Sequence, residues 1–235
     1  MKKEIIVISL GGSLIIPNKI RVGEWGVDIE FLEKFKKIIK KNIRKYKFII
    51  NCGGGSIARK YISALKKSGA NIKLQSLSGI SATRMNARFM SYFFNQEQTK
   101  GIPHKTKQVK KALKNQDIVF CGALKYEPNQ TSDSTSAQLA KYFKTKFINL
   151  TNVQGLYTSD PRKNKNAKFI SKISYKDFNK IANKSKYQPG QHFVLDQTAA
   201  KIIQQNKIPT YILGKDLKQL DNLLKNKKFK GTVIN

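Results

Sequence analysis

Acidic residues are scarce in this chain. Asp and Glu number 14 against 46 Lys and Arg, a formal net charge of +32 over 235 residues. Histidine and cysteine are almost missing, with two of each. His104 and His192 stand alone, with no carboxylate or cysteine at ligand spacing. That argues against a zinc site and against a histidine general base, so no protein-built metal centre is expected. Cys52 and Cys121 each adjoin an expected strand end and read as small buried residues, not as a disulfide or a metal pair. No apolar run approaches the roughly 18 residues that cross a membrane. Met1 to Glu4 followed by Ile5 to Leu10 has the look of a leader. The apolar piece is short, however, and Gly11-Gly12-Ser13 continues into folded-looking sequence. It is read as a first strand, and the expected compartment is the cytoplasm.

The excess of lysine raises the question of nucleic acid. The basic residues are spread, as in Lys36, Lys40, Lys110, Lys165 and Lys227, with no RNA-binding aromatic motif, zinc spacing or arginine-rich tail. The favoured reading is a compositional bias on solvent faces. A nucleic-acid partner is the second reading.

The hydrophobic fraction of 40% is that of a globular chain. Periodicity predicts strands at Ile5–Leu10, 48–50, 117–120, 146–150, 210–213 and 231–234, with an edge strand over 168–173. Helices are predicted from 28 to about 46, 57–67, 81–96, 105–113, 134–143, 175–182, 197–205 and 217–224. Loops are expected at 101–103 and 187–191. Alternating strands and helices imply an α/β fold with a mainly parallel sheet covered on both faces.

Three segments carry chemistry. The run ending at Leu150 stops at Thr151-Asn152-Val153-Gln154-Gly155-Leu156-Tyr157-Thr158-Ser159-Asp160-Pro161. A buried strand delivers a loop in this way to the carboxyl edge of a sheet, where open α/β folds bind ligands. Gly11-Gly12-Ser13 follows the first strand, and Gly53-Gly54-Gly55 follows the second, with Arg59 one turn into the next helix. Glycines let backbone N–H groups approach phosphate oxygens, and a guanidinium there can grip phosphate bidentately. Neither cluster has the spacing of a Walker loop or a dinucleotide fingerprint. Thr131-Ser132-Asp133-Ser134 offers hydroxyls and a carboxylate at a helix start. Plainer readings stand beside each: a solvated Arg59, a helix cap with a first-turn acid at 131–134, a turn at Asp160, core packing for Tyr157, and a helix cap at Asp196.

Taken in order, these pieces resemble the amino acid kinase superfamily, and within it the uridylate kinases of archaeal type. The matching pieces run from Ser9–Ser13 and Gly53–Ile62 through Gly79-Ile80, Thr83–Ala87, Gln130–Ser134 and Thr151–Pro161 to Val194–Asp196 and Ala199–Ile203. The resemblance implies a three-layer αβα sandwich, the amino acid kinase fold, as a single domain over 1–235. Its first lobe (about 1–120) would bind the acceptor and its second (about 121–235) ATP. It implies phosphorylation of UMP to UDP by ATP with Mg²⁺, through direct in-line transfer in pyrimidine nucleotide synthesis, and a homohexamer. Gly53, Gly54, Gly55 and Arg59 would hold the UMP phosphate. Thr131 and Ser132 would meet the acceptor nucleotide. Gly11, Gly12 and Ser13 would cradle the transferring phosphoryl group, with Asp133 beside them. Thr151, Asn152, Tyr157 and Asp160 would form the ATP pocket.

Three positions depart from the pattern. Ser9 stands where many members carry lysine, with Lys215 as a candidate replacement cation. Gln154 stands where relatives often have aspartate. Residues 123–129 lack the expected glycine-rich form. The alternatives are a sister kinase acting on acetylglutamate, carbamate, aspartate or isopentenyl phosphate, or a nucleotide- or RNA-binding relative without turnover.

Overall fold

The computed structural model describes residues 3–17, 26–99, 101–128, 130–162, 164–183 and 195–235. The expected 187–191 loop, His192 and Val194 lie outside them.

Most strands of the central sheet are short apolar runs whose side chains alternate between two cores. On β1 (Glu4–Leu10), Ile6, Ile8 and Leu10 face one core and Val7 the other. β1 lies between β2 (Tyr46–Cys52) and β4 (Phe147–Leu150), with β3 (Ile118–Cys121) beyond β2 and β8 (Thr210–Leu213) beyond β4. With β9 (Thr232–Ile234) and β7 (Lys172–Ile173), the seven strands run in the order β3-β2-β1-β4-β8-β9-β7. All pairings are parallel except β8 with β9. Residues 168–173 form two strands, not one edge strand. β6 (Phe169–Ile170) pairs antiparallel with β5 (Leu156–Tyr157) in a separate ribbon, and β7 joins the main sheet.

Helices cover both faces, as the αβα expectation requires. α2 (Ile29–Asn42), α4 (Ile72–Phe93) and α9 (Leu217–Leu224) close the first core, in which Phe35, Tyr46, Phe48 and Phe120 are buried. Burying one such ring contributes about 1.5–3 kcal/mol. α5 (Thr106–Asn115), α6 (Ser132–Phe143), α7 (Tyr175–Ala182) and α8 (Gln197–Gln205) close the second. α3 (Gly55–Lys67) packs on α4. Cys52 and Cys121 lie in opposite cores as free thiols, pushed up by burial, Cys121 to about 12.

α4 begins nine residues before the expected 81, a start left unmarked because its first turns carry no buried apolar stripe. Asn71 caps it by accepting the Leu74 N–H at 3.0 Å. Its first turns expose Ile72 and Leu74, so no buried stripe marks them. Among the described residues, no helix is long and apolar enough to cross a membrane.

Candidate active site

The parallel strands β1, β2, β3 and β4 all end at one edge of the sheet, and their loops meet there around a single cleft. After β1 the chain enters α1 (Gly12–Ile15); after β2 it enters α3. The two glycine clusters touch. A Cβ on Gly12 would lie 2.1 Å from the Gly55 nitrogen, and one on Gly53 would lie 2.6 Å from the Gly12 nitrogen. Gly55 also has φ +64°, a left-handed conformation that side chains disfavour. The glycines are therefore required by backbone-on-backbone packing as well as by any ligand.

That packing brings the N-terminus of α3 to the cleft. Its cap, Gly54, provides no side-chain hydrogen bond, so the first-turn N–H groups are offered to an anion. Arg59 stands half-buried in the same wall. Burial lowers its pKa, and the charge of Arg162 lowers it further. An anion arriving between them would relieve both effects.

The opposite wall is the start of α6. Thr131 caps this helix, accepting from the Asp133 N–H at 3.1 Å and donating to Asp196. Asp196 is fully buried. It also accepts from Ser134 Oγ at 2.6 Å and from the Ala199 N–H at 2.8 Å, so one carboxylate ties the starts of α6 and α8 together. The expected cap at Asp196 is thus found, with a second helix bound to it. Asn51, at the end of β2, donates to the Ser132 carbonyl at 2.6 Å. Asp133 projects to the cleft floor, where Ser9 Oγ donates to it at 2.8 Å. Burial first, and Asp196 second, push the Asp133 pKa up to about 7, against the Ser9 hydrogen bond.

The cleft, of about 200 Å³, is lined by Gly11, Gly12, Ser13, Gly53, Gly54, Gly55, Arg59, Thr131, Ser132, Asp133 and Thr151. These are the expected acceptor and transfer residues, together with the first residue of the expected ATP loop. Asn152, Tyr157 and Asp160 are not in its lining. Tyr157 packs edge-on against Phe169, with ring centroids 5.5 Å apart. Asp160 accepts two bonds of 2.9 Å from the Arg162 guanidinium and organises its own turn. Lys215 does not stand in for a lysine at position 9. It donates to Asp28 at 2.5 Å in a separate groove beside Lys34 and Asp216. The hydroxyl of Ser9 is directed at Asp133 instead.

Lys125, Tyr126, Glu127, Gln130 and Asn149, to which sequence reasoning assigns no role, also line the cleft. The first three fall in the segment without glycines after β3, where the departure itself was the signal. Among the described residues, no group of three or more His, Cys, Asp or Glu could hold a metal ion.

Strand order, paired glycine loops and two helix starts around one cleft describe a phosphate-handling α/β enzyme. The chain belongs to the amino acid kinase family, whose model matches residues 4–214. It is similar to the uridylate kinase of Pyrococcus abyssi, 34% identical over 231 residues, covering 97% of this chain and 98% of that protein. It is equally similar to the uridylate kinase of Thermoplasma volcanium, 34% identical over 237 residues, covering 98% and 97%. Among solved structures, the uridylate kinase of Archaeoglobus fulgidus superposes with a TM-score of 0.80 at 30% identity over 98% of this chain and 99% of that one. The UMP kinase of Ureaplasma parvum, at 24% identity and a TM-score of 0.78 over the whole of both chains, shares the fold.

Proposed function

We propose that this chain is a uridylate kinase: it transfers the γ-phosphoryl group of ATP to UMP. The observation that carries this reading is one cleft bounded by both glycine loops, the uncapped start of α3 and Arg59. Similarity to uridylate kinases over nearly the whole length supports it.

Arg59 and the first-turn N–H groups of α3 hold the acceptor phosphate. Gly11, Gly12 and Ser13 face the group in transit. One acceptor phosphate oxygen attacks the γ-phosphorus; the new O–P bond forms as the bond to the β,γ-bridging oxygen breaks, and that oxygen leaves with ADP. The acceptor is already largely ionised near neutral pH, so positioning and charge stabilisation do most of the work. This suits a cleft with no histidine among its described lining residues. Mg²⁺ would supply further charge neutralisation on the ATP phosphates. Asp133, a partly open carboxylate on the cleft floor, suits an ion held mainly by phosphates and water. The loop of Thr151, Asn152, Tyr157 and Asp160 borders the ATP side, giving an acceptor half of about 1–120 and an ATP half of about 121–235. The reaction belongs to pyrimidine nucleotide synthesis in the cytoplasm. Exposed Tyr61, Ile72, Leu74, Leu77, Met85 and Tyr92 on α3 and α4 support self-association, with a hexamer as the proposed state.

A coupled assay of ADP release with UMP, CMP, AMP, acetylglutamate and isopentenyl phosphate tests the reading. Turnover of UMP above the others is expected; inactivity with all five rejects the enzyme, and preference for a non-nucleotide rejects the subclass. Arg59→Ala should raise KM for UMP about 10- to 100-fold, the cost of a charge-assisted phosphate contact, and leave KM for ATP nearly unchanged. Equal loss for both substrates would remove Arg59 from the acceptor site.

A further inference from the structure

One turn of α4 grips both backbone segments that face the acceptor. Asn86, fully buried, donates from Nδ2 to the Gly53 carbonyl at 2.7 Å, inside the second glycine loop. Thr83 Oγ1 accepts from the Ala123 N–H at 3.0 Å. Arg84 donates from Nε to the Ala123 carbonyl at 3.0 Å and from Nη2 to the Leu124 carbonyl at 2.7 Å. The segment after β3 lies directly against this turn: a Cβ on Gly122 would come within 2.6 Å of Thr83 Oγ1 and 2.7 Å of the Arg84 nitrogen. The three residues beyond the clamp, Lys125, Tyr126 and Glu127, line the cleft, and Lys125 pairs with Glu127.

We propose that Arg84 is a positioning residue for acceptor binding, acting with Thr83 and Asn86 to fix the distance between the Gly53–Gly55 loop and the segment carrying Lys125–Glu127. The inference rests on the acceptor assignment made above and extends it to Arg84 and Asn86, outside the cleft lining, beside Thr83, which lines it. Three features carry it. The guanidinium spends its fork on two successive main-chain carbonyls, a geometry that fixes orientation as well as distance and that an ammonium cannot reproduce. Both gripped segments face the acceptor side, and neither belongs to the 151–160 loop. The clamp residues fall within one turn of one helix, so a shift of one segment relative to the other requires breaking one of these bonds. Arg84 lies outside the cleft lining, so its effect is transmitted through the 123–127 backbone.

The test is steady-state kinetics of Arg84→Lys and Thr83→Val in the full chain, with the concentrations of UMP and ATP varied separately and thermal unfolding measured in parallel. Arg84→Lys should raise KM for UMP about tenfold, as expected for losing one or two hydrogen bonds to a buried loop. KM for ATP should change less than twofold. Thr83→Val, which keeps the side-chain shape and removes the acceptor of the Ala123 N–H, should move the same constant in the same direction. Direct UMP titration by calorimetry should show the same loss of affinity without turnover. Equal rises in both KM values, or a lowered melting temperature with unchanged KM values, would make the clamp merely structural and overturn the proposal. If the wild type uses another acceptor, the uridylate kinase reading fails separately, and the split measured with that acceptor still decides the role of Arg84.

Discussion

Ser9 and Asp133 form the smallest unit with a consequence for both stability and chemistry. The Asp133 carboxyl titrates at about 7, and burial is the main cause. In the unfolded chain it ionises near 3.9. Between those values the folded protein holds a proton that the unfolded chain has lost. This residue's contribution to stability is therefore complete below about pH 4 and declines as pH rises toward 7. Asp133→Asn should melt about 2–6 °C above the wild type at pH 8, and the gap should close toward pH 4. A gap of the same size at both ends would show that the carboxyl is not strained in its site. The same variant should lose most of its turnover, because the strained carboxylate faces the transferring group. A costly residue at the centre of a cleft is the usual sign that function has set its identity.

Among the secondary-structure elements, the glycine contact dominates. Gly12→Ala drives a methyl group to 2.1 Å from backbone, which no side-chain rotation relieves. It should destabilise the fold by more than about 3 kcal/mol, the range of severe overpacking. Denaturant unfolding would show this as a lowered midpoint with unchanged slope; a neutral result would mean the loops are not in contact. Most elements were legible because each carried its own pattern. Ser174 before Tyr175 marked the start of α7, and its Oγ accepts from the Asp177 N–H at 3.1 Å as a cap should. The apolar runs of β1 and β4 marked buried strands. What was hidden depended on contacts distant in sequence. The start of α4, with its apolar side chains exposed, has no buried stripe. Residues 168–173 divide between two sheets because of their partners, Leu156 and Tyr157 for one half and Val233 and Ile234 for the other. In the cleft, the glycines and Arg59 declared themselves by type. The sharing of Asp196 between α6 and α8, and the clamp from α4, are spatial facts with no local signature. Lys215 shows the opposite failing: a cation at a suitable strand end whose partner, Asp28, lies 187 positions away.

For the molecule as a whole, a net charge of +32 acts on substrates and on other copies of the chain in opposite senses. It draws anionic nucleotides toward the surface and repels like-charged protomers, and salt screens both with a Debye length of about 8–10 Å. Raising salt from about 50 to 300 mM should therefore raise KM for both nucleotides while strengthening self-association through the apolar face of α3 and α4. Light scattering and kinetics on the same samples would show the two trends; salt-insensitive KM values would mean the lysines exert no long-range field on the cleft. Steep salt-dependent retention on single-stranded nucleic acid without UDP formation would instead favour the binding-protein reading.

The contact between the Gly11–Gly12 turn and Gly53–Gly55 has a bearing on how such a protein can diversify. Gly12 cannot accept a side chain unless the second loop retreats, nor Gly53 or Gly55 unless the first does, so these positions are locked as a matched set. Novel acceptors must be accommodated elsewhere along the rim. The residues just past Leu124, whose side chains face the cleft while Arg84 grips the backbone before them, are where there is room to vary.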